Sequence, residues 1–269
     1  MFGNGGAEQA APRATAVAAQ DGGTLARVCA ALKRNDVALA YQPVVLAVPG
    51  RAPAFYEGLV RIQDEDGRLI PARDFMAAVE TTEAGRIIDC RALQLGLQAL
   101  SRQPALRLAI NMSARSIGYP AWRKTLHDGL AADPTVAERL ILEITESSAM
   151  LMPDQVTAFM ADLQSRGIAF ALDDFGSGYT AFRYLREFFF DIIKIDGQFI
   201  RGIHADADNQ VLTRALISIG RHFDMFTVAE SVETAEDAHF LQAAGIDCMQ
   251  GYFFGAPSVS PAWDTLAPQ

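Results

Sequence analysis

The sequence predicts an α/β fold: a TIM-like (β/α)8 barrel with one antiparallel strand near the N-terminus. Three observations lead there. From Thr24 onward, apolar runs of strand length alternate with segments of helical period. Most of the strand candidates are continuous apolar runs rather than alternating ones, as expected of strands covered on both faces by helices in a parallel sheet. Eight such strands within roughly 230 residues suit a closed barrel better than an open doubly wound sheet.

The elements follow in order. Residues 1–23 mix Gly, Ala and Gln with single charges and no period, and read as a flexible tail or linker; residues 24–269 read as one domain. Leu39–Val45 and Ala54–Ile62 are strand candidates joined by a short loop holding Pro49-Gly50. That loop cannot hold a helical crossover, so the two strands should be antiparallel. Arg73–Ser101 reads as one amphipathic stretch, followed by a strand at Leu106–Met112 and a helix at Ala121–Ala132. Leu140–Thr145 is the next strand. Pro153 opens a helix to Arg166, with Asp154 supporting its positive end and Ser165-Arg166-Gly167 stopping it. Strands at Ile168–Asp173, Asp191–Ile195, Phe226–Ala229 and Asp247–Gln250 alternate with helical stretches at Tyr179–Phe188, Ala207–Phe223 and Thr234–Ala244.

Composition narrows the function classes. Half of the 269 residues are hydrophobic and a fifth charged, which describes a globular protein with a sizeable core. Lys and Arg number 23 against 32 Asp and Glu, a net charge of −9. Such a surface repels phosphate backbones, so no DNA partner is expected, while a small anionic ligand held by metal ions remains compatible. No run of ~18 apolar residues predicts a spanning helix, and Met1 to Gln20 lacks the pattern of a signal peptide. Three widely spaced cysteines fit a reducing, cytoplasmic setting, and the four histidines show no metal-ligand spacing.

The acids fall at strand ends. Glu57 lies in the second strand candidate, Asn111 ends the third and Glu143 lies near the end of the fourth. Asp173-Asp174 end the fifth, Lys194 lies in the sixth, Glu230 ends the seventh and Gln250 the eighth. In a parallel barrel those ends converge on one mouth. Carboxylates gathered there need cations, and hard divalent ions, Mg²⁺ or Mn²⁺, prefer such oxygen ligands. Asp173-Asp174 can hold two metals ~3.5–4 Å apart, an arrangement suited to phosphodiester hydrolysis. Two other readings stay open: Asp173-Asp174 with the following Phe-Gly-Ser-Gly as a capped turn, and Lys194 as the Schiff-base lysine of an aldolase-like enzyme.

The ordered motifs resemble the EAL domain, the bacterial cyclic di-GMP phosphodiesterase module. They are Tyr41-Gln42-Pro43, Glu57-Gly58-Leu59-Val60-Arg61, Asn111-Met112-Ser113, Leu142 to Ser147, Asp173 to Tyr179, Lys194-Ile195-Asp196, Ala229 to Thr234 and Gln250-Gly251-Tyr252. The resemblance implies a two-metal site hydrolysing cyclic di-GMP to linear pGpG. A catalytically weak receptor for the same ligand is the alternative. Carried over by position, Glu57, Asn111, Glu143 and Asp173 resemble ligands of one metal, and Asp173 and Asp174 ligands of the second. Lys194 resembles the group at the attacking water or phosphate; Glu230 is either metal-linked or a general base. Gln42, Leu59, Arg61 and Gln250 match substrate contacts, and Glu146 the anchor of the loop Asp173–Tyr179. The resemblance also implies a homodimer and sensory or GGDEF domains absent from this chain. Four departures stand out: Gly58 for the usual Ala, Ser231 for a usual Gly, Thr180-Ala181 for a usual Ser-Ser after the loop, and Phe188-Phe189-Phe190, readable as core packing or as an apolar patch near a dimer interface.

Overall fold

The computed structural model of the chain describes residues 11–177, 185–261 and 263. Among them nine strands form one sheet: β1 (Val37–Leu46), β2 (Pro53–Gln63), β3 (Leu69–Pro71), β4 (Leu108–Asn111), β5 (Leu140–Thr145), β6 (Ala169–Phe175), β7 (Ile192–Ile195), β8 (Phe226–Ala229) and β9 (Cys248–Gln250). All but β3 close into an eight-stranded barrel. β1 runs antiparallel to both β2 and β9, and every other pair in the ring is parallel. β3 adds to β2 from outside the ring. The helices are α1 (Ala11–Arg34), α2 (Met76–Val79), α3 (Glu83–Arg102), α4 (Pro120–Ala132), α5 (Glu146–Ala149), α6 (Pro153–Gln164), α7 (Ala207–His222) and α8 (Ala235–Ala244). None of the described helices is long and apolar enough to cross a membrane.

The expected barrel with one reversed strand is therefore present. Where the sequence suggested a tail through residue 23, α1 already begins at Ala11, and residues 1–10 lie outside the described residues. The single stretch expected over Arg73–Ser101 is broken into a 3₁₀ turn (Ala72–Asp74), α2 and α3. The break is built by Thr82, whose backbone N–H and hydroxyl both bond the Val79 carbonyl at 2.8 Å while its own backbone is extended. Gly85 allows the close turn, since a Cβ there would lie 2.8 Å from that carbonyl. Most of the helix expected at 179–188 lies outside the described residues.

Strand side chains alternate between the two faces, and here that alternation builds two inner layers. The deeper one is apolar and draws one residue from each barrel strand: Val44, Phe55, Ala109, Ile141, Ala171, Ile192, Val228 and Cys248. Two residues further toward the mouth on each strand, counted backward on reversed β1, stand Gln42, Glu57, Asn111, Glu143, Asp173, Lys194, Glu230 and Gln250. The lower layer excludes water from below, so the upper layer is polar but largely enclosed. The outward positions pack in a larger core against the helices. Gly58 belongs to that outer face: a Cβ there would sit 2.7 Å from Ile110 Cδ1 and 3.3 Å from Leu39 Cδ1. Its lack of a side chain thus concerns packing and leaves the inner face untouched.

Candidate active site

Lys194 is the centre of the polar layer. Its side chain is 1% exposed. Nζ lies 2.8 Å from Glu230 Oε1, 3.0 Å from Glu143 Oε2 and from Asp173 Oδ1, and 3.3 Å from Glu57 Oε2. Glu57 also accepts hydrogen bonds from Asn111 Nδ2 at 2.7 Å and Gln250 Nε2 at 2.6 Å. Gln250 donates as well to Gln42 Oε1 at 3.1 Å, and Gln42 donates to the Gly255 carbonyl at 3.0 Å. The amides thus bridge the reversed strand to the acids.

One ammonium cannot balance the carboxylates around it. Burial works to strip the proton from Lys194, but Asp173, Glu143, Glu230 and Glu57 outweigh it and hold the lysine well above its usual range. Burial pushes Glu143 and Glu230 well above the usual carboxylate range, with neighbouring acids adding to the effect and Lys194 opposing it. Burial would do the same at Glu57, but Lys194 and the bonds from Gln250 and Asn111 hold that carboxyl below its usual value. Asp174 is pushed up to about 6 by burial and by Asp173. The protein without cations therefore stores protons on its acids.

The donor set fits divalent cations. Oxygens of Asp173, Asp174 and Glu230 lie within 4.8 Å of one another. Glu143 Oε1 is buried without a hydrogen-bond partner. Asp173 Oδ1 faces Lys194 as an ion pair and accepts no hydrogen bond. Buried acceptors left open in a cluster of hard oxygens are what a metal would complete. A Schiff-base role for Lys194 fits poorly, because its amine is held protonated by four acids.

Above this layer opens a cleft with two lobes. The larger, about 550 Å³, is lined by Gln42, Glu57, Leu59, Arg61, Glu230 and Gln250, and also by Arg73, Arg201 and Tyr252. The second, about 370 Å³, lies over Asn111, Asp173 and Asp174 and shares Glu57, Leu59 and Arg73 with the first. Arg61 Nη1 donates to the Val60 carbonyl at 2.9 Å, which leaves the rest of its fork available. Arg73 and Arg201 have no counterpart in the sequence reading. Their signal there, arginines in loops after strands, is no different from that of any surface arginine.

Two non-glycine residues at the mouth have left-handed backbone, Asp174 (φ 55°) and Ser231 (φ 55°). Such geometry favours glycine and concentrates at functional sites. At Ser231 a side chain nonetheless stands in that geometry: it fills space beside Gly197 and accepts a bond from Arg201 Nη2 at 2.9 Å. Glu146 Oε2 accepts the Gly176 N–H at 3.2 Å, so the expected loop anchor does meet that loop. Of the aromatic run, Phe188 and Phe190 are buried with ring centroids 5.6 Å apart, and Phe189 is 73% exposed.

The sequence pattern of the EAL domain family matches residues 26–257. The chain belongs to the EAL domain family. Cyclic di-GMP phosphodiesterase PdeF of Escherichia coli K12 is 32% identical over 244 residues, covering 89% of this chain and 32% of the relative. Cyclic di-GMP phosphodiesterase PdeB of Shewanella oneidensis is 31% identical over 235 residues, covering 86% of this chain and 28% of the relative. The chain thus spans about a third of the length of these curated relatives. Among solved structures, the PaMucR phosphodiesterase in its c-di-GMP complex is similar at a TM-score of 0.77 and 30% identity, over 90% of this chain and 99% of that one. The FimX EAL domain of Pseudomonas aeruginosa bound to c-di-GMP matches at 0.79 and 25% identity, over 88% and 96%. An EAL-type barrel with its mouth facing this cleft is therefore the setting for the acids gathered on Lys194.

Proposed function

We propose that this EAL domain hydrolyses cyclic di-GMP to linear pGpG, with Mg²⁺ or Mn²⁺ held by the carboxylates at the barrel mouth. The observation that carries the reading is the Lys194 ammonium within 3.3 Å of four carboxylates beneath a cleft with arginines in its wall. Glu57, Asn111, Glu143 and Asp173 would hold one ion, and Asp173 and Asp174 the second. The clustering of Glu230 with Asp173 and Asp174 supports its metal-linked role over that of a free general base. When bound, two such ions supply an activated water and neutralise the charge that builds on the phosphodiester.

The chain's own groups do the remainder. Lys194 keeps its proton throughout, so it serves as a fixed positive donor toward water or phosphate oxygen rather than as a base. Arg61 offers a planar fork to a phosphate, and Leu59 an apolar edge to a base. Gln42 and Gln250 hold Glu57 in one orientation and close the pocket wall. Glu146, through Gly176, fixes the loop that follows Asp173 and Asp174. The homodimer and the fusion to sensory or GGDEF domains belong to this same reading.

The test is incubation with cyclic di-GMP and Mg²⁺ or Mn²⁺, with and without EDTA. Metal-dependent appearance of pGpG is expected. Ligand binding with no product under any metal condition would turn the reading to a receptor.

A further inference from the structure

Behind the second lobe of the cleft lies a buried carboxylate that the chemistry above leaves unused. Asp89, on α3, is 7% exposed and lines that lobe beside Asn111 and Asp173. Its Oδ2 accepts the Ser113 N–H at 3.0 Å and the Ser116 hydroxyl at 2.6 Å. Ser116 ends the 3₁₀ turn Ala114–Ser116 that follows β4, and Ser113 is its N-cap.

The position of this bond along the chain gives it meaning. Asn111 is the last residue of β4, a strand of four residues. The ladder ends one residue later, where the Met112 N–H donates to the Glu143 carbonyl at 2.9 Å. The next donor, the Ser113 N–H, has no strand to pair with and goes to Asp89. The chain two residues past Asn111 is therefore held by a side chain from another element. The turn is tied a second time on its far side. The Ala114 N–H donates to Ser148 Oγ at 2.8 Å, and the Ser148 N–H to Thr145 Oγ1 at 3.2 Å. Thr145 stands between Glu143 and Glu146. Loss of Asp89 would release the β4 side of this belt and leave the β5 side in place.

We infer that Asp89 is a positioning residue: by holding Ser113 it fixes the strand end that carries Asn111, and so sets how tightly the acid cluster takes a divalent cation. The inference rests on the metal-dependent reading above. A role confined to folding would lower stability on loss of Asp89 and leave cation affinity alone. A role in positioning moves cation affinity itself, because ligand orientation is held by such outer contacts.

The experiment is calorimetric titration of Mn²⁺ into the full metal-free chain, with melting temperatures recorded in parallel. The variants are Asp89→Ala, Asp89→Asn and Ser113→Pro. Ser113 has φ −82°, which a proline ring accepts, so that substitution deletes the donor without forcing the backbone. Asp89→Ala and Ser113→Pro should weaken Mn²⁺ binding by roughly 10- to 100-fold, and Asp89→Asn, whose amide oxygen still accepts the N–H, should stay within about threefold. Wild-type affinity in both Asp89→Ala and Ser113→Pro overturns the inference whatever their melting temperatures, as does Asp89→Asn falling as far as Asp89→Ala. If Asp89→Ala does not fold, Ser113→Pro carries the comparison. Wild-type protein that binds no Mn²⁺ overturns the metal reading and this role together. Wild-type protein that binds Mn²⁺ without hydrolysing cyclic di-GMP overturns only the hydrolytic function.

Discussion

At the scale of single residues, the site is an unbalanced charge cluster whose fixed point is Lys194. Four carboxylates raise its affinity for the proton above the usual lysine range. A folded-state value above the unfolded one means that its contribution to stability is fully present below about pH 10. Across neutral pH, Lys194 therefore acts as a constant positive charge, and the pH dependence of the cluster comes from the acids. Replacing it by methionine, of similar length, leaves Glu57, Glu143, Asp173 and Glu230 facing one another. At pH 8 this should destabilise the metal-free protein by about 3–5 kcal/mol. At pH 5.5 the loss should be smaller, because burial raises the pKa values of Glu143 and Glu230 and so favours uptake of protons that relieve the repulsion. Urea unfolding at the two pH values measures both. An equal loss at each would contradict the placement of Lys194 as the counter-charge. Turnover should fall by at least about 100-fold, the scale for loss of one preorganised charge at a reacting centre.

At the scale of elements, the alternation of each strand does two jobs, and Gly58 separates them. Glu57 faces the mouth and Gly58 faces the helices, so a change at 58 should move stability and leave catalysis in place. Gly58→Ala puts a methyl 2.7 Å from Ile110 Cδ1 in a filled core, and over-packing of this kind costs about 1–3 kcal/mol. Ile110→Val removes the atom that the new methyl strikes. The double variant Gly58→Ala/Ile110→Val should therefore recover most of the loss, a coupling that denaturant melts of the two singles and the double would reveal. Additive losses would show that the methyl meets something other than Ile110. The turnover of Gly58→Ala should stay within about twofold, since uniform packing changes on the far face leave transition-state contacts intact.

The same alternation decides what could be read from the amino acids alone. Leu140–Thr145 and Phe226–Ala229 are legible to the residue because short, mostly apolar runs of strand length there end against Glu146 and Glu230. β3 is not, because three residues pairing at an edge leave no period. The break between α2 and α3 falls in the polar run Glu80-Thr81-Thr82-Glu83, and the Thr82 bonds to Val79 are what fix it. The acids at strand ends could be placed because the polar residue on each strand stands two positions past an apolar one. Asp89 could not be, because on a helix it looks like any charged residue until its partners across the fold are known.

At the scale of the whole molecule, the net charge of −9 and the fold meet in the barrel mouth. Five acids there, Glu57, Glu143, Asp173, Asp174 and Glu230, converge on a site that the metal-free protein keeps partly protonated. Asp174 is held up to about 6 and Asp89 to about 6, and Glu143 and Glu230 lie well above their usual range. The sign follows from linkage. A carboxyl with a folded-state pKa above its unfolded one binds more protons in the native state, so its contribution falls as pH rises from the unfolded value to the folded one. The metal-free protein should thus lose stability as pH climbs from about 4 through 6 and beyond. A divalent cation acts in the opposite direction, because it binds the deprotonated ligands and must displace those protons. At 100 times its dissociation constant it adds about 2.7 kcal/mol, or roughly 5–10 °C in melting temperature for a domain of this size. Thermal melts with Mn²⁺ and with EDTA should therefore diverge at pH 8 and converge as pH falls below about 6, where protons compete for the same oxygens. A Mn²⁺ shift as large at pH 5 as at pH 8 would mean that the ion binds elsewhere on the acidic surface and not at the mouth of the barrel.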